Sequence, residues 1–291
     1  MARVTPCIRS ELQYQPVASA VSIGEIKRAL SMWERLSNVT VFRRALILIG
    51  IAVLWQLYAA HLDNPLLFPT FGSVVKAFTN SIKSGDLTVH VWNSLTVLVK
   101  GYAAGVIVAI LLTTLAVSSR FGSDLLATLT GMLNPLPAIA LLPLALLWFG
   151  LGDLSIIFVL IHAVLWPMVL NTHSGFLSVS RTLRMVGRNS GVTGTGYVVD
   201  ILIPAAFPSI LAGLKISWAF AWRTLIAAEL VFGQTSGSGG LGWFIFEHKN
   251  DLDIPAVFAG LAAVTIIGLL VDNLLFKAIE IRTVNKWGMQ N

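Results

Sequence analysis

The feature that most constrains the fold of this chain is a series of apolar segments, each long enough to cross a membrane. Six of them occur, at about residues 45–62, 90–118, 125–150, 154–173, 205–232 and 254–276. A helix needs roughly 20 mostly apolar residues to span the hydrocarbon core of a bilayer. Only 12% of the residues are charged, whereas a soluble domain has about a quarter. These properties predict a polytopic membrane protein that contacts lipid.

The segments show no alternation of period two, which transmembrane strands require, so we predict an all-α fold with about six transmembrane helices. The predicted parts are a cytoplasmic tail (1–44), a first transmembrane helix (45–64), a main transmembrane domain (65–280) and a cytoplasmic C-terminal tail (281–291). In the first tail, Ser22-x-x-Glu25 is typical of a capping box. It predicts a helix lying at the membrane surface, and a tail without regular structure is the alternative.

The basic residues predict the orientation of the helices. With the N-terminus inside, the inner segments carry fourteen Lys and Arg residues and the outer segments carry three. Basic residues accumulate on the cytoplasmic side of membrane proteins, so both termini are predicted to be cytoplasmic. This topology accounts for the net charge of +6, and no nucleic-acid partner is needed.

The segment from residue 179 to residue 204 has two usable faces. If 179–190 is helical, three arginines and three apolar residues fall on opposite sides. The arginines are Arg181, Arg184 and Arg188, and the apolar residues are Val179, Leu183 and Val186. Gly191 then suits a sharp turn, and Pro204 suits the first turn of the next helix. We interpret the segment as a cytoplasmic element that docks another protein, and an ordinary basic loop is the alternative.

The spacing within this segment resembles the loop that marks membrane subunits of ABC importers. Nine residues separate Gly191 from the closing run Ile201-Leu202-Ile203-Pro204. Further motifs resemble the nitrate/sulfonate/taurine/bicarbonate group of these permeases, over roughly residues 65–287. They are Asn134-Pro135-Leu136-Pro137, Leu142-Pro143, Leu147-Trp148-Phe149-Gly150-Leu151-Gly152, Trp166-Pro167, Asn171-Thr172, Gly175, Pro208-Ser209-Ile210-Leu211, Gly213-Leu214, Ala227-Ala228-Glu229, Gly240-Leu241-Gly242 and Asp272.

The resemblance implies a type I ABC importer permease fold for residues 65–280 and a multi-pass protein of the cell inner membrane. It also implies a homodimer, two ABC ATPase subunits, and a periplasmic or lipid-anchored substrate-binding protein. The chain contains no G-x-x-x-x-G-K-[ST] phosphate loop, so it cannot hydrolyse ATP by itself. ATP and Mg are expected in the partner ATPase, and this chain is expected to bind no cofactor and no metal and to have no catalytic residue.

The resemblance assigns ATPase coupling to a set of residues in the 179–204 segment. They are Arg181, Arg184, Met185, Val186, Gly187, Arg188, Gly191, Ile201, Ile203 and Pro204. Met185, Val186 and Gly187 stand where the family usually carries Glu-Ala-Ala, so the signature glutamate is missing. We hypothesise that Arg184 and Arg188 replace part of the anchoring lost with it.

Prolines and charges inside the spans predict the translocation path. The candidate residues are Pro135, Pro137, Pro143, Trp148, Lys100, Arg223 and Glu229. Prolines break regular helix, and broken backbone at membrane depth is tolerated where it lines a cavity or packs against protein. A kink with a packing role only is the alternative. Arg223 lies near mid-span, so it is expected either to pair across a dimer interface or to attract an anion.

Two other patterns do not indicate a site. Residues 237–242 satisfy G-x-G-x-x-G, but no strand precedes them as a dinucleotide site requires, so we expect a flexible outer loop. His162 and His173 are eleven residues apart, about 16 Å along a helix, and cannot share one metal ion. The resemblance favours a small anion or zwitterion as substrate, of the sulfonate, taurine, nitrate or bicarbonate class. An ion-gradient-driven secondary transporter is the alternative, although repeated halves and paired carboxylates are not seen.

Overall fold

The structure is a computed structural model that describes residues 40–191, 194–232 and 239–285, without the side chains of Arg188, Thr195, Phe232 and Asn285. The helix predicted within the N-terminal tail lies outside the described residues. The chain divides into two units, residues 1–51 and 52–291. In the first unit residues 40–51 are helical, and their leucine and isoleucine side chains are exposed, as in a segment that faces lipid.

Every regular element in the described residues is helical. The main helices are α1 (Thr40–Leu62), α2 (Phe71–Lys83), α3 (Asp86–Ser118), α4 (Arg120–Leu133), α5 (Leu142–Phe149), α6 (Asp153–Ser178), α7 (Arg181–Asn189), α8 (Gly194–Tyr197), α9 (Ile203–Phe232), α10 (Leu241–Asn250), α11 (Ile254–Leu270) and α12 (Lys277–Glu280). Short 3₁₀ or π turns occupy Ala138–Leu141, Val198–Leu202, Val271–Phe276 and Ile281–Asn285. The predicted all-α class is confirmed.

Five helical stretches are long and apolar enough to cross a membrane, and α4 with α5 makes a sixth if the pair is counted as one broken span. The two helices of that pair are bent by 86°. The break lies between Leu133 and Ala138, at Pro135 and Pro137, and Pro143 follows in the first turn of α5. The predicted interruption of the third span by proline is therefore confirmed.

Helices α3, α6 and α9 form the centre of the second unit, and small residues allow them to approach closely. A Cβ atom added at Gly101 of α3 would lie 2.7 Å from the Cβ of Leu160 in α6, and one at Gly105 would lie 2.7 Å from the Cβ of Val164. In α9, Ser217 donates a hydrogen bond to the carbonyl oxygen of Val164 at 3.1 Å. Close backbone packing of this kind is the usual way in which membrane helices associate.

The order of these contacts fixes the direction of each span. Helices α3, α6 and α11 end at the side that carries α7, whereas α9 begins there. We call this side the basic end, after Arg181 and Arg184, and the other side the opposite end. The broken pair of α4 and α5 follows the end of α3 at the basic end and leads to the start of α6 at the opposite end.

The opposite end carries α2 and α10, two short helices that the hydropathy pattern did not predict. Beside α2, Trp55 lies within 5.8 Å of the ring centroids of Phe68, Phe71 and Phe258. The indole Nε1 of Trp55 also donates to the carbonyl oxygen of Pro69 at 2.9 Å. Tryptophan favours the membrane–water interface, and Trp55 has the corresponding surroundings, with its ring against apolar rings and its N–H bonded to a backbone carbonyl.

Candidate translocation cavity and coupling segment

The coupling segment, residues 179–204, contains a well-defined short helix. Helix α7 has nine residues, and the hydroxyl of Ser180 caps it by accepting from the backbone N–H of Leu183 at 3.3 Å. It ends before Gly191, whose φ of +74° is a left-handed conformation that glycine adopts without steric cost. The predicted first helix is therefore present, one or two residues shorter at each end than expected. The second helix was expected to open at Pro204, but helical structure resumes already at Gly194 and continues through Val198–Leu202 into α9.

Arg184 joins α7 to the end of the preceding span. Its guanidinium donates to the carbonyl oxygens of Phe176 at 2.5 Å and Val179 at 3.2 Å. These carbonyls have no partner within helix α6, and a cation at a helix C-terminus also interacts favourably with the helix dipole. Arg184 therefore holds α7 in a fixed position relative to α6. The side chain of Arg188, the other arginine of the anchoring hypothesis, lies outside the described residues.

Gly187 lets α7 pack on the chain that leads into α9. A Cβ atom at this position would fall against the end of the Ile201 side chain and 3.1 Å from the ring of Tyr197. Leu202 is buried in a small apolar cluster with Val179 and Ala206. A methyl group at this position would require the end of the Ile201 side chain to move.

The outer face of α7 is apolar and exposed. Leu183, Met185 and Val186 are 40%, 57% and 54% exposed, and Arg181 is exposed beside them. Val179, expected on the same stripe, is instead buried because it precedes the helix and turns towards α9. Two large apolar side chains at the position of the family's Glu-Ala therefore face away from the protein. At the start of α9, Ile203 is 37% exposed and Pro204 is half-buried.

A cavity of about 460 Å³ lies where the broken span meets α6 and α9. The break contributes residues 134–139, including Pro135 and Pro137. The remaining walls are formed by His162, Ala163, Trp166 and Pro167 of α6 and by Phe220, Arg223, Thr224 and Ala227 of α9. The four α9 residues follow the i, i+3, i+4, i+7 spacing of one helical face. The prolines of the break thus lie opposite an arginine.

Arg223 is the charged group of this cavity. Its Nε donates to the carbonyl oxygen of Ala219, one turn back in α9, at 3.0 Å. The guanidinium lies 5.3 Å from the centroid of the Phe220 ring, a cation–π geometry that holds it in the cavity wall. Among the described residues, the lining contains no carboxylate.

His162 contributes a neutral imidazole. The indole Nε1 of Trp166 donates to its Nε2 at 3.1 Å, which requires that nitrogen to be unprotonated. His162 is therefore neutral in this arrangement, and Arg223 supplies the positive charge of the cavity. No sequence pattern assigned His162 or Thr224 to the path, and Trp166 was noted only as part of the Trp166-Pro167 motif. The spacing of four between His162 and Trp166 was the available signal.

Four other predicted path residues lie outside this cavity. Lys100 is exposed on α3, and Pro143 is exposed at the start of α5. Trp148 is 59% exposed, with its ring 5.7 Å from that of Phe158. Glu229, 3% exposed, lines a second cavity of about 160 Å³ at the opposite end.

The carboxylate of Glu229 is hydrogen-bonded on both sides. It accepts from the hydroxyl of Ser94 in α3 and from the backbone N–H of Gly242 in α10, each at 2.8 Å. Ser94 in turn accepts from the N–H of Leu241 at 2.8 Å. Gly240, Leu241 and Gly242 are buried, so the expectation of a flexible loop is wrong for these residues. They form the start of a helix whose N–H groups are capped by other spans.

The described residues thus form helical spans around a cavity at a proline break, with a separate short helix at one end, an arrangement suited to a membrane transport protein. Residues 101–283 match the family described as binding-protein-dependent transport system inner membrane component. The chain belongs to this family.

Three relatives indicate the branch of the family. A nitrate import permease protein from Synechocystis sp. is 32% identical over 81% of this chain and 86% of its own length. An aliphatic sulfonates transport permease protein from Escherichia coli, described as putative, is 30% identical over 77% and 84%. The taurine transport system permease protein of Escherichia coli is 27% identical over 76% and 81%. The chain is thus an ABC transporter permease of the nitrate/sulfonate/taurine class.

Proposed function

We propose that this chain is the transmembrane subunit of an ATP-driven importer, acting as a homodimer with two separate ATPase subunits and a substrate-binding protein. The observation that carries the proposal is α7, a short helix outside the spans that is fixed on its inner side and apolar on its exposed side. The ATPase would dock on this exposed face, and the binding protein would dock at the opposite end. ATP and Mg would be bound by the ATPase.

The exposed face of α7 is suited to a protein partner. Met185 and Val186 lie beyond the end of α6, on a helix that also carries Arg181. Exposed apolar side chains rimmed by polar ones favour a protein contact. On the inner side, Arg184 and Gly187 fix α7 to α6 and to the chain leading into α9. Movement of the ATPase would therefore shift α6 and α9 directly.

The cell inner membrane is the proposed location, with the basic end in the cytoplasm. The excess of Lys and Arg at this end supports the orientation. A cytoplasmic basic end also places α7 where ATP is available.

The 460 Å³ cavity is the proposed path for the solute. Its lining supports an anion, because Arg223 provides a fixed positive charge and the described lining residues include no carboxylate to bind an ammonium group. In a homodimer two such arginines would line one pathway. Sulfonate, nitrate and bicarbonate fit this description better than the zwitterion taurine.

The coupling proposal is tested in proteoliposomes that contain the permease, the ATPase and the loaded binding protein. Met185→Glu with Val186→Glu should abolish co-purification of the ATPase and stimulated ATP turnover, because burying two carboxylates in the proposed apolar contact has a large desolvation cost. Arg120→Glu is the matched control. It changes the net charge by the same amount at an exposed site of the same end. Normal turnover in the double variant, or uptake without any ATPase, would refute the proposal.

The path proposal is tested by neutralising, one at a time, two positively charged side chains. Arg223→Gln should raise the KM for transport of an anion by roughly tenfold, which corresponds to about 1.4 kcal/mol of lost interaction. Lys100→Gln removes the same charge from a residue that does not line the cavity, and should leave the KM unchanged. Equal effects of the two substitutions would exclude a specific role for Arg223.

A further inference from the structure

The two ends of α9 are attached to different parts of the transport machinery. At the basic end α9 continues from the coupling segment, and near the opposite end it carries Glu229. Ile203 and Glu229 lie 26 residues apart on one helix, a distance of about 39 Å along its axis. Pro208 interrupts the hydrogen bonds of α9 near the basic end. Beyond it, Gly213 and Ser217 pack the helix along α6, so a shift of the coupling segment can be passed along α9 to Glu229.

Glu229 closes a ring of hydrogen bonds between three elements. The carboxylate of α9 bonds Ser94 of α3 and the N–H of Gly242 in α10, and Ser94 bonds the N–H of Leu241. All of these groups are buried. In such surroundings a carboxylate that loses a partner is left with a large desolvation cost. A displacement of α9 therefore either carries α10 with it or breaks bonds that nothing else replaces.

The backbone around Gly240 confirms how tightly the ring is closed. A Cβ atom at Gly240 would overlap with both the Glu229 carboxylate and the Ser94 hydroxyl, so only glycine fits at this position. The turn of α3 that precedes Ser94 also contacts the start of α10. The carbonyl oxygen of Gly239 accepts from Asn93 at 2.8 Å and lies 3.1 Å from the His90 ring. The start of α10 is thus clamped between α3 and α9 on several sides.

We propose that Glu229 is a positioning residue that makes α10 follow the movement of α9, so that docking at the opposite end is transmitted to the coupling segment. This inference rests on the proposed function and adds the connection between its two docking sites. The link is mechanical, and Glu229 contacts no solute in it. The partner expected on α10 is the loaded binding protein, because α10 is a short helix outside the long spans at that end.

The test measures the ratio of ATP turnover with and without the loaded binding protein, in purified permease–ATPase complexes. Glu229→Ala should reduce this ratio to about one. Glu229→Gln should reduce it by a smaller factor, because one amide oxygen can still accept from both Gly242 and the Ser94 hydroxyl, whereas the second carboxylate oxygen is lost. Losing one hydrogen bond to a charged group corresponds to a change of roughly tenfold in a two-state equilibrium. Asp124→Asn, exposed on α4 and away from both α10 and the ring of hydrogen bonds, is the control and should keep the wild-type ratio.

A merely structural role predicts a different result. In that case the variants would lower the melting temperature of the complex, but complexes that remain assembled would keep the wild-type ratio of ATP turnover with and without the binding protein. This result would overturn the inference. Ser94→Ala combined with Glu229→Gln should be no worse than the more severe of the two single variants. If the combined effect equals the product of the two single effects, Ser94 and Glu229 act independently, and the inference that they act through one ring of hydrogen bonds is refuted.

Spin labels provide a second measurement. With labels at Lys249 on α10 and Lys83 on α2, both exposed, the distance should change on nucleotide trapping in the wild type and stay constant in Glu229→Ala. An unaltered change in the variant would overturn the inference. If the wild-type ATPase itself fails to respond to the binding protein, the proposed function fails, and the inference fails with it.

Discussion

The close contact between α3 and α6 predicts a large effect from one added methyl group. In Gly105→Ala the new Cβ would lie 2.7 Å from the Cβ of Val164 and 3.3 Å from the Cα of Ile161. Rotation of the Val164 side chain cannot move either atom, so the helices themselves have to separate. Reaching an ordinary carbon–carbon separation of roughly 3.5 Å requires a shift of about 0.8 Å.

The energetic consequence follows from the loss of contact along the helix pair. A gap of this size forfeits roughly a quarter to a half of the dispersion energy of each atom pair that it opens. Overpacking in well-packed interiors costs about 1–3 kcal/mol. We expect the free energy of unfolding of Gly105→Ala to fall by that amount, although alanine is the better helix former by up to about 1 kcal/mol.

The measurement is an unfolding titration with sodium dodecyl sulfate in mixed micelles, followed by circular dichroism. Gly131→Ala in α4 is the matched control, because no atom lies within 4 Å of the position of its added Cβ. The control should be as stable as the wild type or slightly more stable. If Gly105→Ala unfolds at the same detergent fraction as the control, the close approach of α3 and α6 is not what stabilises the pair.

Two further predictions concern single hydrogen-bonding groups. Arg184→Ala removes both bonds to the end of α6 and should loosen α7, so amide hydrogen exchange in Arg181–Asn189 should accelerate by roughly tenfold or more; unchanged exchange would contradict the capping role, and Arg184→Lys should lie between. Trp222→Phe removes the bond from Nε1 to the carbonyl oxygen of Val264, 3.2 Å long, between α9 and α11. It should lower the free energy of unfolding by about 0.6 kcal/mol, and a loss above about 2 kcal/mol would point to ring packing instead.

Hydropathy was sufficient to predict the spans because membrane crossing depends on local composition. Hydropathy did not predict helices α2 and α10, because each is short and mixes polar with apolar residues. In α2 the signal was a capping threonine: Thr70 accepts from the N–H of Ser73 at 3.2 Å. In α10 the glycines suggested a loop, whereas Gly240 and Gly242 are there because a side chain would collide with Glu229.

The site itself was predictable only in part. The break at Pro135 and Pro137 and the charge of Arg223 were visible as isolated exceptions within apolar segments. Their meeting in one cavity depends on the packing of three spans, which no local pattern encodes. The same is true of Glu229, whose partner Ser94 is 135 residues away. A sequence shows that a buried carboxylate needs partners, but it does not show which ones.

The right angle between α4 and α5 has a consequence for how the protein resides in lipid. The 14 residues of α4 and the 8 of α5 reach about 21 Å and 12 Å, so neither arm alone crosses a hydrocarbon core of about 30 Å. Residues 134–137 between them are exposed, and acyl chains offer no hydrogen bonds to an interrupted backbone. Only the side of that corner that lines the 460 Å³ cavity can be solvated by water, which gives a thermodynamic reason for a second protein surface to cover the side that would otherwise face lipid.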